Sequence, residues 1–293
     1  LAAGEAWVML AQAEEFVGLL TKARDTVAAH VELAKSYVEQ GMLVRSELLR
    51  AEVELARVED LLEDAKGKAR VANANLAFRI GVAQDSAWAL APLPGPKPLE
   101  GDAASWVSSA GSRRDLSAAR SLLAAGELEE KVKKAAWLPK VGVMARWDLH
   151  DRNLFGASGS AGTVLAFASL NLFQGGADKA ALVAAREEAR AGREDVARFA
   201  DGVALEVRQA YEEAATARAR HATAVKALEA ARESERITDE RFRSGVVKTI
   251  DLLDAATARR EAETRELVAR ADAHATALRL AVKAGKAPET AIP

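Results

Sequence analysis

The 293-residue chain is 49% hydrophobic but only 5% aromatic, and it contains 7 prolines. This balance is typical of long, closely packed helices and argues against a disordered or collagen-like chain. Its 41 basic and 43 acidic residues give a formal charge of -2, which offers no electrostatic basis for binding nucleic acid. The absence of cysteine excludes disulfides, thiolate metal sites and cysteine nucleophiles.

The sequence contains an internal repeat with an offset of 204 positions, which places Gly41 on Gly245 without a gap. Each copy reads as a long helix, a short break at the first glycine, a second long helix and a terminating glycine. The repeat therefore predicts two helical hairpins, at residues 1–85 and 177–293.

The second helix of the first hairpin carries an apolar residue at every third or fourth position, as a coiled-coil seam does. These positions are Leu48, Ala51, Leu55, Val58, Leu62, Ala65, Ala69, Ala72 and Leu76. In the second hairpin Arg259 and Glu266 interrupt the matching seam, so we expect that helix to use another or a more polar face. The helix before it is predicted to run unbroken over 177–242, roughly 100 Å, which indicates an elongated molecule.

Residues 86–136 link the two hairpins. The segment 91–102 carries most of the prolines and predicts an extended connector. The pattern then returns to a helix over 105–136, here called equatorial, and Pro139 prevents its continuation because proline cannot extend a helix.

Residues 137–176 show a period of two instead. Val143, Ala145, Trp147 and Leu149 alternate with mostly small or polar residues, Met144 being the exception. A similar alternation, with Phe167 as its exception, runs over 163–172 after a turn rich in glycine and serine. The pattern predicts a β-hairpin with one apolar face and about ten residues per strand, the length that a tilted membrane-spanning strand needs. A small soluble hairpin packed on the helices fits these strands equally well.

The run Leu170-Asn171-Leu172-Phe173-Gln174-Gly175-Gly176 closely resembles the strand-to-helix junction of TolC-like outer-membrane efflux proteins, with Phe173, Gly175 and Gly176 at its centre. Arg113-Arg114-Asp115-Leu116 is similar to the motif between the repeats of that family. The segments 41–51 and 245–255 look like its paired hairpin tips. The resemblance covers essentially the whole chain.

The resemblance implies a mostly α fold with a β-hairpin, in which long coiled-coil helical hairpins form two structural repeats. It further implies a homotrimer with a trimeric α-barrel across the periplasm and a transmembrane β-barrel of twelve strands in the lipid of the outer membrane. A periplasmic adaptor protein and an inner-membrane pump would be the partners, and no nucleic acid is expected. Because four strands per protomer are needed, we expect an N-terminally truncated chain, with another strand pair and a signal sequence before Leu1.

The resemblance also implies site residues at the tips. Asp251 and Asp254 lie three positions apart on one helix face, where the family has a ring of carboxylates at the periplasmic constriction. Acidic residues in a first turn equally complement the helix dipole. Glu47 and Arg50 hold the matching places in the first copy, as ion-pairing partners of a neighbouring hairpin or as a solvated helix start.

The exposed hairpin ends are, by resemblance, where the adaptor docks. The residues concerned are Gly41, Ser46, Gly245, Lys248 and Thr249. The two glycines would be needed for a helix-helix turn whether or not anything docks there.

No catalytic constellation occurs in the sequence, and its four histidines have no second ligand at metal-binding spacing. We therefore expect no enzyme, no cofactor and no metal site. The predicted function is the exit duct of a tripartite efflux or type I secretion system, located in the outer membrane and reaching into the periplasm. The alternative is a soluble, elongated coiled-coil scaffold or a periplasmic adaptor without a pore.

Overall fold

The computed structural model describes residues 1–86, 88, 90–150 and 159–287. This part of the chain is mostly helical and contains one two-stranded antiparallel sheet. The elements are α1 (Ala2–Glu39), α2 (Arg45–Ile80), α3 (Ala103–Ala110), α4 (Arg114–Ala135), β1 (Lys140–His150), β2 (Gly159–Ser169), α5 (Ala177–Arg243) and α6 (Thr249–Lys283). The chain divides into a larger unit (residues 1–111 and 203–293) and a smaller unit (112–202). Among the described helices, none has the length and hydrophobicity needed to span a membrane.

Helices α1 and α2 pack as an antiparallel hairpin through the predicted seam. None of the nine seam residues of α2 is exposed. Val58 contacts Val27 of α1, and Leu62 contacts Leu20 of the same helix. Removing such aliphatic side chains from water supplies about 1.5–3 kcal/mol each, so this seam holds the hairpin together.

Helix α6 is buried on two faces, which is why its sequence lacks a single clean seam. On one face Ala271 and Leu278 pack against Val8 and Ala11 of α1. On the other face Leu280 belongs to a core with residues of α5. Burial on two sides removes the strict alternation of apolar and polar faces that identifies an amphipathic helix.

The two charged residues that interrupt the seam of α6 contact polar side chains of α5. Arg259 Nε lies 2.9 Å from Glu235 Oε2. Glu266 Oε1 lies 3.0 Å from His221 Nε2. This face is therefore polar, and α5 supplies a partner for each of the two charges across the helix interface.

The helix predicted over 105–136 is instead two helices, α3 and α4. The Asp102 carboxylate caps α3 by accepting the Ser105 N–H at 2.9 Å. The chain leaves the helix at Gly111, and α4 begins at Arg114, beside an ion pair of 2.6 Å between Arg113 and Asp115. Local capping thus divides a stretch whose composition is helical throughout.

In the smaller unit α4 packs against the first part of α5. Glu130 pairs with Arg186 at 3.0 Å, and Glu127 pairs with Arg193 at 2.9 Å. The strands β1 and β2 lie between these two helices in sequence and pair in one continuous register from Lys140↔Ser169 to His150↔Gly159.

Candidate functional site

The two helical hairpins end in tips with the same backbone geometry. Gly41 and Gly245 both have a φ of 73°. The N–H of the residue after each glycine donates to the carbonyl five residues back, at 2.8 Å in the first tip and 3.0 Å in the second. This is the glycine-dependent end of a helix, so both glycines are needed for the turn itself.

The tips present apolar side chains to solvent. Met42 is 59% exposed, Val44 63% and Val246 72%. The two tips are also neighbours, because the Tyr37 ring of α1 lies 6.0 Å from the Phe242 ring of α5. Clustered apolar residues at an exposed end are typical of a protein-docking surface.

The first turn of α6 uses two of the predicted site residues for its own structure. The Lys248 N–H donates to Asp251 Oδ2 at 2.9 Å, so this carboxylate caps the helix. Thr249 is only 1% exposed and therefore supports the turn from inside, while Lys248 is exposed. Of the residues predicted to dock a partner, Thr249 does not form part of the tip surface.

Three other predicted residues lie together in a groove between α2 and α6, which we call the α2–α6 groove. Its volume is about 560 Å³, and its wall includes Ser46, Arg50 and Asp254. Leu49 and Val53 add exposed apolar surface. The groove thus combines an acidic group, a basic group and apolar side chains beside the tips.

Glu47 and Arg50 form an ion pair with each other within α2. Their side chains lie 3.4 Å apart in the first turn of α2. Ion pairs that do join the two hairpins include Glu54–Arg260, at 2.8 Å, which was not predicted from the sequence. Glu54 and Arg260 lie 206 positions apart in the chain, so no local sequence pattern indicates that they pair.

A polar cluster lies behind the tips, where α1, α5 and α6 meet. Arg243 pairs with Asp239 at 2.9 Å, and Arg259 pairs with Glu235. Burial raises the pKa of the Glu235 carboxyl. Burial also lowers the pKa of His30, which faces this cluster from α1. In this cluster, burial therefore disfavours the charged forms of Glu235 and His30.

The β-ribbon of the smaller unit, formed by β1 and β2, has an apolar face that is highly exposed, while its other face mixes exposed Met144, Leu165 and Phe167 with polar residues. Directly paired residues of antiparallel strands share a face, so the pairs Val143↔Ala166 and Ala145↔Val164 bring the apolar sides of both strands together. Val143 is 73% exposed and Val164 78%. Trp147, 70% exposed, continues the same face.

The junction after β2 depends on its double glycine. Gly175 and Gly176 have φ values of 62° and 86°, two consecutive left-handed residues that side chains with a Cβ tolerate poorly. The turn sends the chain from the ribbon into α5, which begins at Ala177. Leu172 and Phe173, just before this turn, are 87% and 85% exposed.

Within the described residues, no three or more His, Cys, Asp or Glu side chains lie close enough together to hold a metal ion.

These features match known proteins at the level of the family. Residues 107–286, more than half of the chain, match the profile described as outer membrane efflux protein. The chain belongs to this family. The resemblance inferred from the junction and the tips is therefore confirmed.

Several solved structures share the fold of this outer membrane efflux protein. The outer membrane protein VceC from Vibrio cholerae superposes with a TM-score of 0.77 at 20% identity, covering 97% of this chain and 69% of that one. The MtrE outer membrane channel of Neisseria gonorrhoeae gives 0.78 at 20% identity, with 97% and 65% covered. A membrane protein from Pseudomonas aeruginosa gives 0.77 at 17%, with 97% and 66% covered.

The chain thus spans about two thirds of the length of these structures. A search among curated proteins found no match.

Proposed function

We propose that this outer membrane efflux protein is the outer-membrane channel of a tripartite efflux or type I secretion system. It would conduct substrate passively, from an inner-membrane pump to the cell exterior. The channel would be a homotrimer, with the β-ribbon in lipid and the helical hairpins forming a tunnel wall in the periplasm.

The observation that carries this proposal is the exposed apolar face of the β-ribbon. Val141, Val143, Trp147 and Val164 are each at least 70% exposed on one side of the two strands. Within the described residues β1 and β2 pair only with each other, so each strand has one edge without a strand partner. In lipid such edges must be closed by further strands, which neighbouring protomers would contribute.

The tips support a second part of the proposal, that a periplasmic adaptor docks there. Met42, Val44 and Val246 form an exposed apolar end, and the α2–α6 groove beside them offers both charge signs. An adaptor with its own apolar helical ends would bury this surface. Gly41, Ser46, Gly245 and Lys248 remain the proposed contact residues.

The narrowest part of the channel is proposed to lie at the same end. Asp254 is exposed in the α2–α6 groove, whose wall also contains Arg50 and Arg57. Three copies of an exposed carboxylate around a threefold axis would attract cations. Asp251 and Glu47 would contribute less, because the structure already uses Asp251 as a helix cap and pairs Glu47 with Arg50.

Conductance measurements on the purified protein in planar lipid bilayers test the proposal. We expect detergent-solubilised trimers and stepwise ion conductance. V143R, on the apolar face, should abolish conductance, because a buried arginine costs about 2–4 kcal/mol in the middle of a bilayer. The matched variant A161R introduces the same charge on the opposite face, directly across from Asp148, and should still insert. A monodisperse soluble monomer without conductance would instead indicate a coiled-coil scaffold.

A further inference from the structure

The connector between the two repeats is held by side chains of helices from both of them. We call residues 92–101 the strap; they form no helix or strand. Glu15 Oε1 of α1 accepts the Leu93 N–H at 2.6 Å, and Arg270 Nη1 of α6 donates to the Leu93 carbonyl at 2.7 Å. Arg270 Nη2 also donates to Glu15 Oε2 at 2.6 Å. Leu93 itself is 1% exposed and is packed between the two helices.

The rest of the strap is bound through its carbonyl oxygens. Proline at alternate positions removes N–H donors from this segment, so the carbonyls are the groups that neighbouring helices can bind. His274 Nε2 of α6 lies 2.8 Å from the Pro94 oxygen. Arg218 Nε of α5 donates to the Lys97 oxygen at 2.7 Å, and Tyr211 Oη donates to the Gly101 oxygen at 3.3 Å. Three helices thus converge on one irregular segment.

His274 is the titratable group at the centre of this arrangement. His274 is 5% exposed, and burial lowers the pKa of its imidazole. A carbonyl can only accept, so the bond to Pro94 fixes a proton on Nε2 in the neutral imidazole. The charged and titratable groups around it are Arg218 and His221 on α5, Arg270 and Glu266 on α6, and Glu15 on α1.

We propose that the strap is an acid-sensitive lock, which ties the helices of both repeats together at neutral pH and loosens when His274 is protonated. A proton on Nδ1 places a third positive charge beside the guanidinium groups of Arg218 and Arg270. Both guanidinium groups hold strap carbonyls, so their repulsion from His274 weakens the bonds to Lys97 and Leu93. The lock depends on these contacts and not on the channel function.

Hydrogen exchange of the purified protein, measured by mass spectrometry, tests the lock. After correction for intrinsic exchange, the Leu93 amide should lose protection by about tenfold or more between pH about 7.5 and about 5.0. H274Q keeps an N–H donor near the Pro94 oxygen but cannot titrate, so its Leu93 protection should be the same at both pH values. H30Q removes another histidine whose burial lowers its pKa, away from the strap, and should respond as the wild type does.

A second variant tests the mechanism if H274Q does not fold. Arg218 lowers the pKa of His274 through its charge, so R218Q should move the loss of protection to a higher pH. Unchanged Leu93 protection across this range in the wild type would overturn the proposal. So would a pH response that persists in H274Q, or one that R218Q leaves at the same midpoint.

Discussion

Glu54 of α2 and Arg260 of α6 form an ion pair of 2.8 Å that joins the first helical hairpin to the second. Their side chains are only 15% and 9% exposed, so both charges are largely removed from water. The same Glu54 oxygen lies 3.5 Å from the Thr257 hydroxyl, which adds a second contact across the interface. The pair lies next to the α2–α6 groove, whose wall includes Glu54.

Removal of one partner of this ion pair is predicted to destabilise the larger unit. E54Q leaves the Arg260 guanidinium buried without a counter-charge, and we expect a loss of about 2–4 kcal/mol in the free energy of unfolding. Urea unfolding followed by circular dichroism measures it. The control E233Q breaks an exposed pair with Arg236, which water and salt screen, and should cost much less stability than E54Q. Equal effects of the two variants would show that Glu54–Arg260 has no special role.

The seam of α2 makes a prediction about packing. V58A removes two methyl groups at a position with 0% exposure, so it should lower the free energy of unfolding by about 2 kcal/mol. V53A makes the same change on the same helix at a residue that is 70% exposed and should alter stability by about 0.5 kcal/mol or less. Thermal unfolding of the two variants, measured side by side, separates the effect of a buried seam residue from that of an exposed one.

The tip glycine of the second hairpin makes a prediction about backbone strain. G245A forces alanine into a φ of 73°, so a loss of about 1–2 kcal/mol is expected although a Cβ has space there. G202A lies inside α5, where nothing is within 4 Å of the new Cβ, and should stabilise by about 0.5–1 kcal/mol. Opposite signs in the two unfolding experiments are the expected result. A neutral G245A would mean that the tip relaxes into another turn.

The dependence of stability on pH follows from two histidines. Burial lowers the pKa of both His30 and His274 below 6.5, so near this pH the unfolded chain binds more protons than the folded one. Their contribution to stability is therefore complete above pH 6.5 and is lost as the pH falls through 6.5 toward their lowered pKa values. Denaturant unfolding at a series of pH values measures the slope. In H30Q/H274Q this acid-side loss should shrink; an unchanged slope would assign it to other groups.

The two aspartates of α6 are predicted to have different roles. D251A removes the acceptor of the Lys248 N–H and should cost about 0.5–1 kcal/mol of helix stability. D254N leaves that cap intact and should instead reduce the cation selectivity of the reconstituted channel, read from the reversal potential in a salt gradient. If D254N left selectivity unchanged, the proposed carboxylate ring would be wrong while the family assignment would stand.

Most of the local backbone of this protein could be predicted from the amino-acid sequence, although the break between α3 and α4 was not. The three-four spacing of α2, the period of two in the ribbon and the glycines at 41, 175, 176 and 245 each act through residues that are close in the chain. Steric limits on φ and hydrophobic periodicity depend on neighbours within a few positions, so a single sequence contains them. The junction and tip motifs carried enough of this local pattern to identify the family.

The partners of the polar groups, in contrast, are set by the packing of the helices. Glu54 bonds Arg260 across 206 positions, and Glu15 bonds Arg270 across 255. Arg259 and Glu266 interrupted a seam in the sequence, and the fold supplies their partners from α5. An ion pair between two helices leaves no periodic pattern and no residue preference in the sequence. Its formation depends on how long helices align after packing, and local pattern does not encode that alignment.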